Sequence, residues 1–322
     1  MIWLGRERGN AYDWVTQLWV RATGRRVDLR EQTWLDGPIG GTEKIGEACF
    51  RELAVCERLE VVEEGGVRGL VPGLEVLDGP NFDASRVAPE VRRFYERTSE
   101  YELDAWSQWC AAYRPFGGLL ARLFSRRLQQ MNVPLSGLDT SHGMTSRVVH
   151  LVEPASREVR HVVWARTLRR TGATVYSGSY GACRIPGHDG PCLRVVFPLP
   201  NGNAVVVMRP QVGEDGALTL VSSGKRFGDP GFYFTVRRPN GRAVARRVRT
   251  MRETIRVARD DDGESRADHE FRLLGSVFLR LHYRMRTTAV RHDASESTTD
   301  RVRPGDVRAA PTAAVVEPGG AS

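Results

Sequence analysis

From Arg147 onward, apolar and polar residues alternate with period two, and turn residues break the pattern at short intervals. That period sends successive side chains to opposite faces of a strand. The spacing predicts strands at 147–153, 159–167, 172–180, 193–199, 203–209, 217–222, 231–237, 243–258 and 266–274. Val277–Met285 fits either a closing helix or a last strand. Asn201-Gly202 and Asn240-Gly241 read as hairpins, because a type I′ turn needs positive φ at both central residues. Glu214-Asp215-Gly216 and Asp260-Asp261-Asp262-Gly263 mark two more turns. Links this short make sequential strands neighbours. Val205-Val206-Val207 interrupts the alternation, which implies a mid-sheet covered on both faces.

The N-terminal part mixes periods. Ala11, Trp14, Val15, Leu18, Trp19 and Ala22 form one helical stripe, which fits a core better than a membrane interface. Trp34–Lys44 is glycine-rich but lacks the G-x-x-x-x-G-K-[ST] spacing of a phosphate loop, so it reads as a plain connection. A helix over 42–57 would bury Ile45, Cys49, Leu53 and Cys56. Leu59–Glu63 and Val67–Val71 suggest a hairpin around Gly65-Gly66. Pro89 suits a first helical turn, with Val91, Phe94, Tyr95 and Thr98 inward. Tyr101, Leu103, Ala105, Ser107 and Trp109 then share one face of a strand. A helix from Phe116 to Met131 follows, with Leu120 and Phe124 on its apolar side and Pro134 beyond its end.

These elements predict an α+β protein. A helical and mixed region (1–140) packs on a large curved antiparallel β-meander (141–286) that forms a half-barrel, covered by the helix at 116–131. The tail, 287–322, has too few large apolar residues to order itself.

Composition narrows the classes. The 322 residues are 41% hydrophobic and 27% charged, enough for a sizeable core. The net charge is +8, and all but Lys44 and Lys225 of the 47 basic residues are arginine. Because the arginines are spread along the chain, they read as a genomic bias and imply no specific nucleic acid. Five cysteines at irregular spacing and no leader-like N-terminus point to a reducing, cytoplasmic compartment. No run approaches the roughly 18 apolar residues of a transmembrane helix, so any membrane contact would be peripheral.

Several clusters carry candidate chemistry. Asp139, Ser141 and His142 are triad residue types, but three neighbours on one loop rarely reach triad geometry. Cys183, His188 and Cys192 are zinc-ligand types without a second pair, so no metal is assigned. Glu96, Glu100, Glu102 and Asp104 read as partners for Arg92, Arg93 and Arg97 rather than as an acid–base pair. Arg237, Arg238, Arg242, Arg246, Arg247, Arg249, Arg252 and Arg256 split between two strand faces. The glycine loop at 222–231 offers backbone amides for an anion or a lid. No cofactor is implied.

The run Phe94-Tyr95-Glu96-Arg97-Thr98-Ser99-Glu100-Tyr101, with the Leu123–Pro134 segment ending Gln130-Met131-Asn132-Val133-Pro134, resembles the soluble portion of YndJ-like bacterial proteins. Members of that group carry membrane helices, and the resemblance brings no activity and no catalytic residue. The architecture therefore suggests a non-catalytic binding module for an apolar or amphipathic small molecule. Its pocket would use Leu120, Phe124, Phe197 and Val207, with Tyr233 and Ser223 as polar handles. The alternatives are a hydrolase built on the Asp139–His142 loop and a structural or interaction protein without ligand.

Overall fold

A computed structural model describes residues 9–288, except 43–44, 47, 121–124, 126–127, 131, 133–139, 141 and 239–241. The helices are α1 (Ala11–Thr23), α2 (Ala48–Glu57), α3 (Pro89–Glu96) and α4 (Arg114–Leu120). The strands are β1 (Arg25–Val27), β2 (Glu60–Val62), β3 (Tyr101–Trp109), β4 (Met144–Val152), β5 (Val159–Leu168), β6 (Thr174–Cys183) and β7 (Cys192–Leu199). They continue as β8 (Gly202–Val212), β9 (Leu218–Val221), β10 (Gly231–Arg237), β11 (Ala243–Arg247), β12 (Met251–Arg259), β13 (Ser265–Leu273) and β14 (Ser276–Thr287).

The strands form one antiparallel sheet in the order β2-β4-β5-β6-β7-β8-β9-β12-β13-β14-β3. Hairpins make β4 to β9 sequential neighbours, as expected. The exception lies on β8, whose outer edge is shared. Gly202–Val207 pairs with β10, while Arg209–Val212 pairs with β9. β11 and β1 then extend the branch that β10 begins. The single strand expected over 243–258 is two strands, β11 and β12, because the chain leaves one branch of the sheet for the other between them. Val277–Met285 is a strand, paired with β13 on one side and β3 on the other.

The sheet curls until its two ends approach without joining. Among the described residues β3 and β4 exchange no backbone ladder. Instead Ala105 of β3 packs with Met144, Leu168 and Val175, and Arg169 reaches Glu102 at 3.2 Å. Side chains thus close a half-barrel that the backbone leaves open.

Two turns differ from expectation for clear steric reasons. Leu199 pairs with Gly202, so the central turn residues are Pro200 and Asn201, and Asn201 alone takes positive φ (59°). Gly202 belongs to the strand, where an added Cβ would sit 1.9 Å from the Thr235 carbonyl oxygen. The Asn240-Gly241 turn lies outside the described residues, but β10 and β11 on either side pair as a hairpin. Val67–Val71 forms no strand, and β2 pairs with β4 instead.

Both faces of the sheet are covered. On the concave side the 70–101 stretch packs Leu74, Phe82, Val91 and Phe94 against Val148, Val206, Leu218 and Met285. This stretch, which includes α3, is the main cover there. The expected cover, the helix at 116–131, is described only in part: α4 is its first portion, Leu119 is exposed, and Leu128 packs on Ile45 and Cys49. On the convex side Trp34 and Leu35 sit on Val205, Val207 and Tyr233, and α2 places Phe50 and Ala54 on Leu151 and Val163. Cys56, expected inside, is exposed.

The orientation of α1 reverses the expectation. A capping box starts the helix: Asn10 Oδ1 accepts from Tyr12 N–H at 3.1 Å, and Asp13 Oδ2 accepts from Asn10 N–H at 3.2 Å. Its buried residues are Asp13, Gln17 and Val20, not the apolar stripe. Val15 is 59% exposed and Trp19 39%.

Candidate functional site

Alternation on the curled sheet sends one set of side chains into its interior. Trp164 and Arg166 of β5, two residues apart, point the same way, as do Val206 and Met208 of β8. Phe232 and Phe234 of β10 join them. Together with the inner face of α1 they enclose a cavity of about 500 Å³ whose wall is almost entirely apolar. That volume lies within the roughly 300–1,000 Å³ of small-molecule sites.

A few polar groups interrupt this wall. Arg166 is 4% exposed. Its guanidinium carbon lies 3.7 Å from the Trp164 ring centre, 4.7 Å from Tyr283 and 5.0 Å from Tyr176. Trp164 is fixed in turn by a hydrogen bond from its indole N–H to Ser146 Oγ at 2.8 Å, and by edge contact with Phe94 and Tyr180. The Tyr176 and Tyr180 hydroxyls lie 3.4 Å apart. Burial pushes the phenols of Tyr95, Tyr176, Tyr180 and Tyr283 well up, against the pull of Arg166, so all four are neutral donors near pH 7. Tyr176, Tyr180 and Tyr283 are only half-buried by surface area. Because burial still dominates their titration, the area they show is cavity wall, not outer surface.

A second polar station sits on β12 and β13. Glu253 Oε1 meets His269 Nε2 at 2.5 Å, with side chains only 8% and 12% exposed. The His269 ring lies on Phe271, centres 4.0 Å apart. Among the described residues, four polar atoms on the cavity lining have no hydrogen-bond partner: Arg166 Nε, Glu253 Oε2, Gln17 Oε1 and Ser107 Oγ. Buried polar groups are normally paired, so each of these atoms calls for a partner such as water or a ligand.

The structure separates the residues expected to form a pocket. Phe197 lines the cavity. Val207 and Tyr233 do not, because the register that turns Val206 and Phe232 inward sends these two to the convex face beside Trp34. The Tyr233 hydroxyl is already engaged, accepting from Gly228 N–H and donating to the Asp229 carbonyl. Ser223 lies half-buried in the 222–231 loop, away from the cavity lining. The side chains of Leu120 and Phe124 lie outside the described residues. That loop offers no empty anion nest either, since the Asp229 carboxylate takes the amides of Lys225 and Arg226 at 2.7 Å each.

The other candidates are also placed. Asp139 and Ser141 lie outside the described residues, and His142 is exposed on a turn, apart from the cavity lining. Cys183 and Cys192 face each other across β6 and β7, and burial pushes their thiols up to about 11 and about 12. Among the described residues no three His, Cys, Asp or Glu side chains gather as a metal site. Glu96 pairs with Arg92, Glu100 with Arg93 and Arg97, Glu102 with Arg169 and Asp104 with Arg286. The residues that sequence reading missed are Arg166, Glu253 and His269. Parity was the available signal, since Arg166 falls on the same strand face as Trp164 and Val162.

The chain is 27% identical over 248 residues to the uncharacterized membrane protein YndJ of Bacillus subtilis (strain 168). The match covers 76% of this chain and 42% of that protein, so the chain spans less than half the length of this curated relative. No family model and no solved structure matches significantly. No helix among the described residues is long and apolar enough to cross a membrane. The similarity to YndJ extends well beyond the two segments that first suggested it.

Proposed function

We propose that the protein is a binding module that holds an apolar or amphipathic small molecule inside the curled sheet. The cavity carries the reading: about 500 Å³ of apolar space that the fold leaves unfilled, with polar atoms left unpartnered on its wall. Protein interiors are otherwise packed like organic crystals, and an unfilled space of this size forfeits many contacts. A bound molecule restores them. The test is to titrate purified, delipidated protein with a neutral apolar fluorophore, and to compare Ala267→Phe, which projects a ring into the cavity. Saturable binding that the variant weakens supports the reading. Absence of saturable binding in the unaltered protein overturns it.

A second observation favours work at a membrane surface. Tyr12, Val15, Leu18 and Trp19 form an outward apolar face on α1, while its inner residues Asp13, Gln17 and Val20 line the cavity. Arg25 and Arg26 follow directly, and the Arg246 guanidinium lies 5.8 Å from the Trp19 ring centre. An apolar stripe edged with arginine suits an anionic lipid surface. The description of the Bacillus relative as a membrane protein is consistent with this. The unbonded Cys183 and Cys192 favour a reducing, cytoplasmic side for that contact. Vesicles rich in anionic lipid should retain the protein on sedimentation, and Trp19→Glu should release it. Equal retention by zwitterionic vesicles, or an unaffected Trp19→Glu, would refute the electrostatic docking.

A further inference from the structure

We propose that the cavity's ligand carries a single carboxylate head, and that Arg166 is the residue that receives it. The inference rests on the binding-module reading and names the ligand's class.

Arg166 is buried on β5, and its guanidinium is flanked by the rings of Trp164, Tyr176 and Tyr283. These rings attract a cation and hold the guanidinium plane, but they bring no counter-charge. Among the described residues no carboxylate lies within ion-pair distance of Arg166, and its Nε has no hydrogen-bond partner. A buried charge without a partner is strongly disfavoured, and proteins almost always pair one. Among the described wall residues the carboxylates are Glu253, whose Oε1 is engaged by His269, and Asp13, whose Oδ2 caps the start of α1. The four tyrosine hydroxyls are neutral and cannot balance the guanidinium. The natural counter-ion is therefore external.

The head's chemistry follows from the count of cations. Among the described residues Arg166 is the only lysine or arginine in the cavity wall. One guanidinium edge matches one carboxylate through two parallel N–H donors. A phosphate dianion at the same place would keep a second negative charge uncompensated in apolar surroundings. The Tyr283 hydroxyl shares a hydrogen bond with the guanidinium, and the charge of Arg166 also reaches the Tyr176 and Tyr180 phenols, so these hydroxyls are the neutral donors nearest the same head. The remaining wall, with Leu220, Phe232, Phe234, Met251 and Ile255, takes an acyl chain. A cavity of this volume suits a single chain, not a two-chain lipid. A fatty acid is the simplest molecule with these parts.

The experiment uses delipidated full-length protein and four twelve-carbon probes: dodecanoate, dodecanol, dodecylamine and dodecyl phosphate, titrated calorimetrically. Dodecanoate should bind at least about tenfold more tightly than dodecanol, since a charge-assisted bidentate contact separates them. Arg166→Gln should abolish that preference while leaving the dodecanol affinity within about twofold. Equal affinity for acid and alcohol in the unaltered protein would overturn the carboxylate inference and leave the cavity reading standing. Failure of all four probes to bind would remove the cavity reading as well. Tighter binding of the amine would make Glu253 the receptor, and tighter binding of the phosphate would reject a single carboxylate; either result overturns the proposal. If Arg166→Gln does not fold, the comparison among probes on the unaltered protein still decides.

Discussion

Gln130 should be one of the most costly polar positions to alter, although no charge and no ligand is involved. It is 1% exposed and sits beside β6 where the β6–β7 ladder stops. Continuing the register from Ser179↔Val196 would set Ser177 opposite Pro198, which has no N–H to donate. The Gln130 amide fills that place. Its Nε2 donates to the Ser177 carbonyl at 2.8 Å, and its Oε1 accepts from the Ser177 N–H at 2.9 Å. One side chain thus supplies both bonds of a missing strand residue. Gln130→Leu keeps the volume and removes both partners from a residue that is fully buried. Each orphaned backbone group costs about 1–3 kcal/mol, so the total should be about 2–6 kcal/mol. Against a total stability of about 5–15 kcal/mol, that shift is large. Urea unfolding followed by far-UV circular dichroism would show a lower midpoint with an unchanged slope. A loss under about 0.5 kcal/mol, the size of a surface change, would mean that water reaches Ser177 and that the amide is not part of the ladder.

Three further outcomes follow from single residues. Gly202→Ala should destabilise by about 3 kcal/mol or more, because its Cβ meets the Thr235 carbonyl oxygen at 1.9 Å; near-normal stability would show that β8 and β10 can move apart. Leu103→Ala on β3, 2% exposed in the main core, should cost about 2–5 kcal/mol by thermal or urea melts, and a smaller loss would place the β3 edge outside the cooperative unit. The Arg97 hydrogen bond, helped by Arg93 and opposed by burial, holds the Glu100 carboxyl below its ordinary value of 4.5. Its contribution is therefore present above that ordinary value and is lost as pH falls through the lower folded value. Glu100→Gln should flatten the acid side of a stability–pH profile, and an unchanged profile would refute the coupling.

The strands were legible because a sheet sends alternate residues to opposite faces, as Trp164 and Arg166 of β5 and Val206 and Met208 of β8 show, and because turn residues separate them. Turn chemistry was legible only in part. Asn201-Gly202 carries a hairpin signal, but the neighbouring Pro200 fixes φ for a turn one residue earlier, and Gly202 is glycine because β10 passes against it. Strand order failed at β8, since no local signal says that a long strand will divide its edge between two partners. Pocket residues were misread for a related reason. A continuous apolar run such as Val205-Val206-Val207 announces two covered faces without saying which is concave, so Val207 and Tyr233 fell on the wrong side.

The same reasoning explains why α1 and the cavity were misjudged together. An apolar stripe is normally assigned to the core because a core is assumed to be filled. Here the face that α1 turns inward meets open space, and that face carries Asp13, Thr16 and Gln17. Gln17 donates to the Pro200 carbonyl at 3.2 Å and leaves its Oε1 unpartnered. Asp13 accepts from Asn10 N–H and Thr16 donates to the Tyr12 carbonyl, so Gln17 Oε1 is the atom of this face that water or a ligand would satisfy, which ties the reversed helix to the unfilled cavity. The buried arginine belongs with them, since a solid core would have selected an apolar residue at position 166 beside Trp164. An inward glutamine on α1, an orphan carboxylate oxygen on β12 and an orphan guanidinium Nε on β5 are all costs to a folded protein alone. Their convergence on one volume is what favours the proposal that this volume binds a ligand over a packing defect.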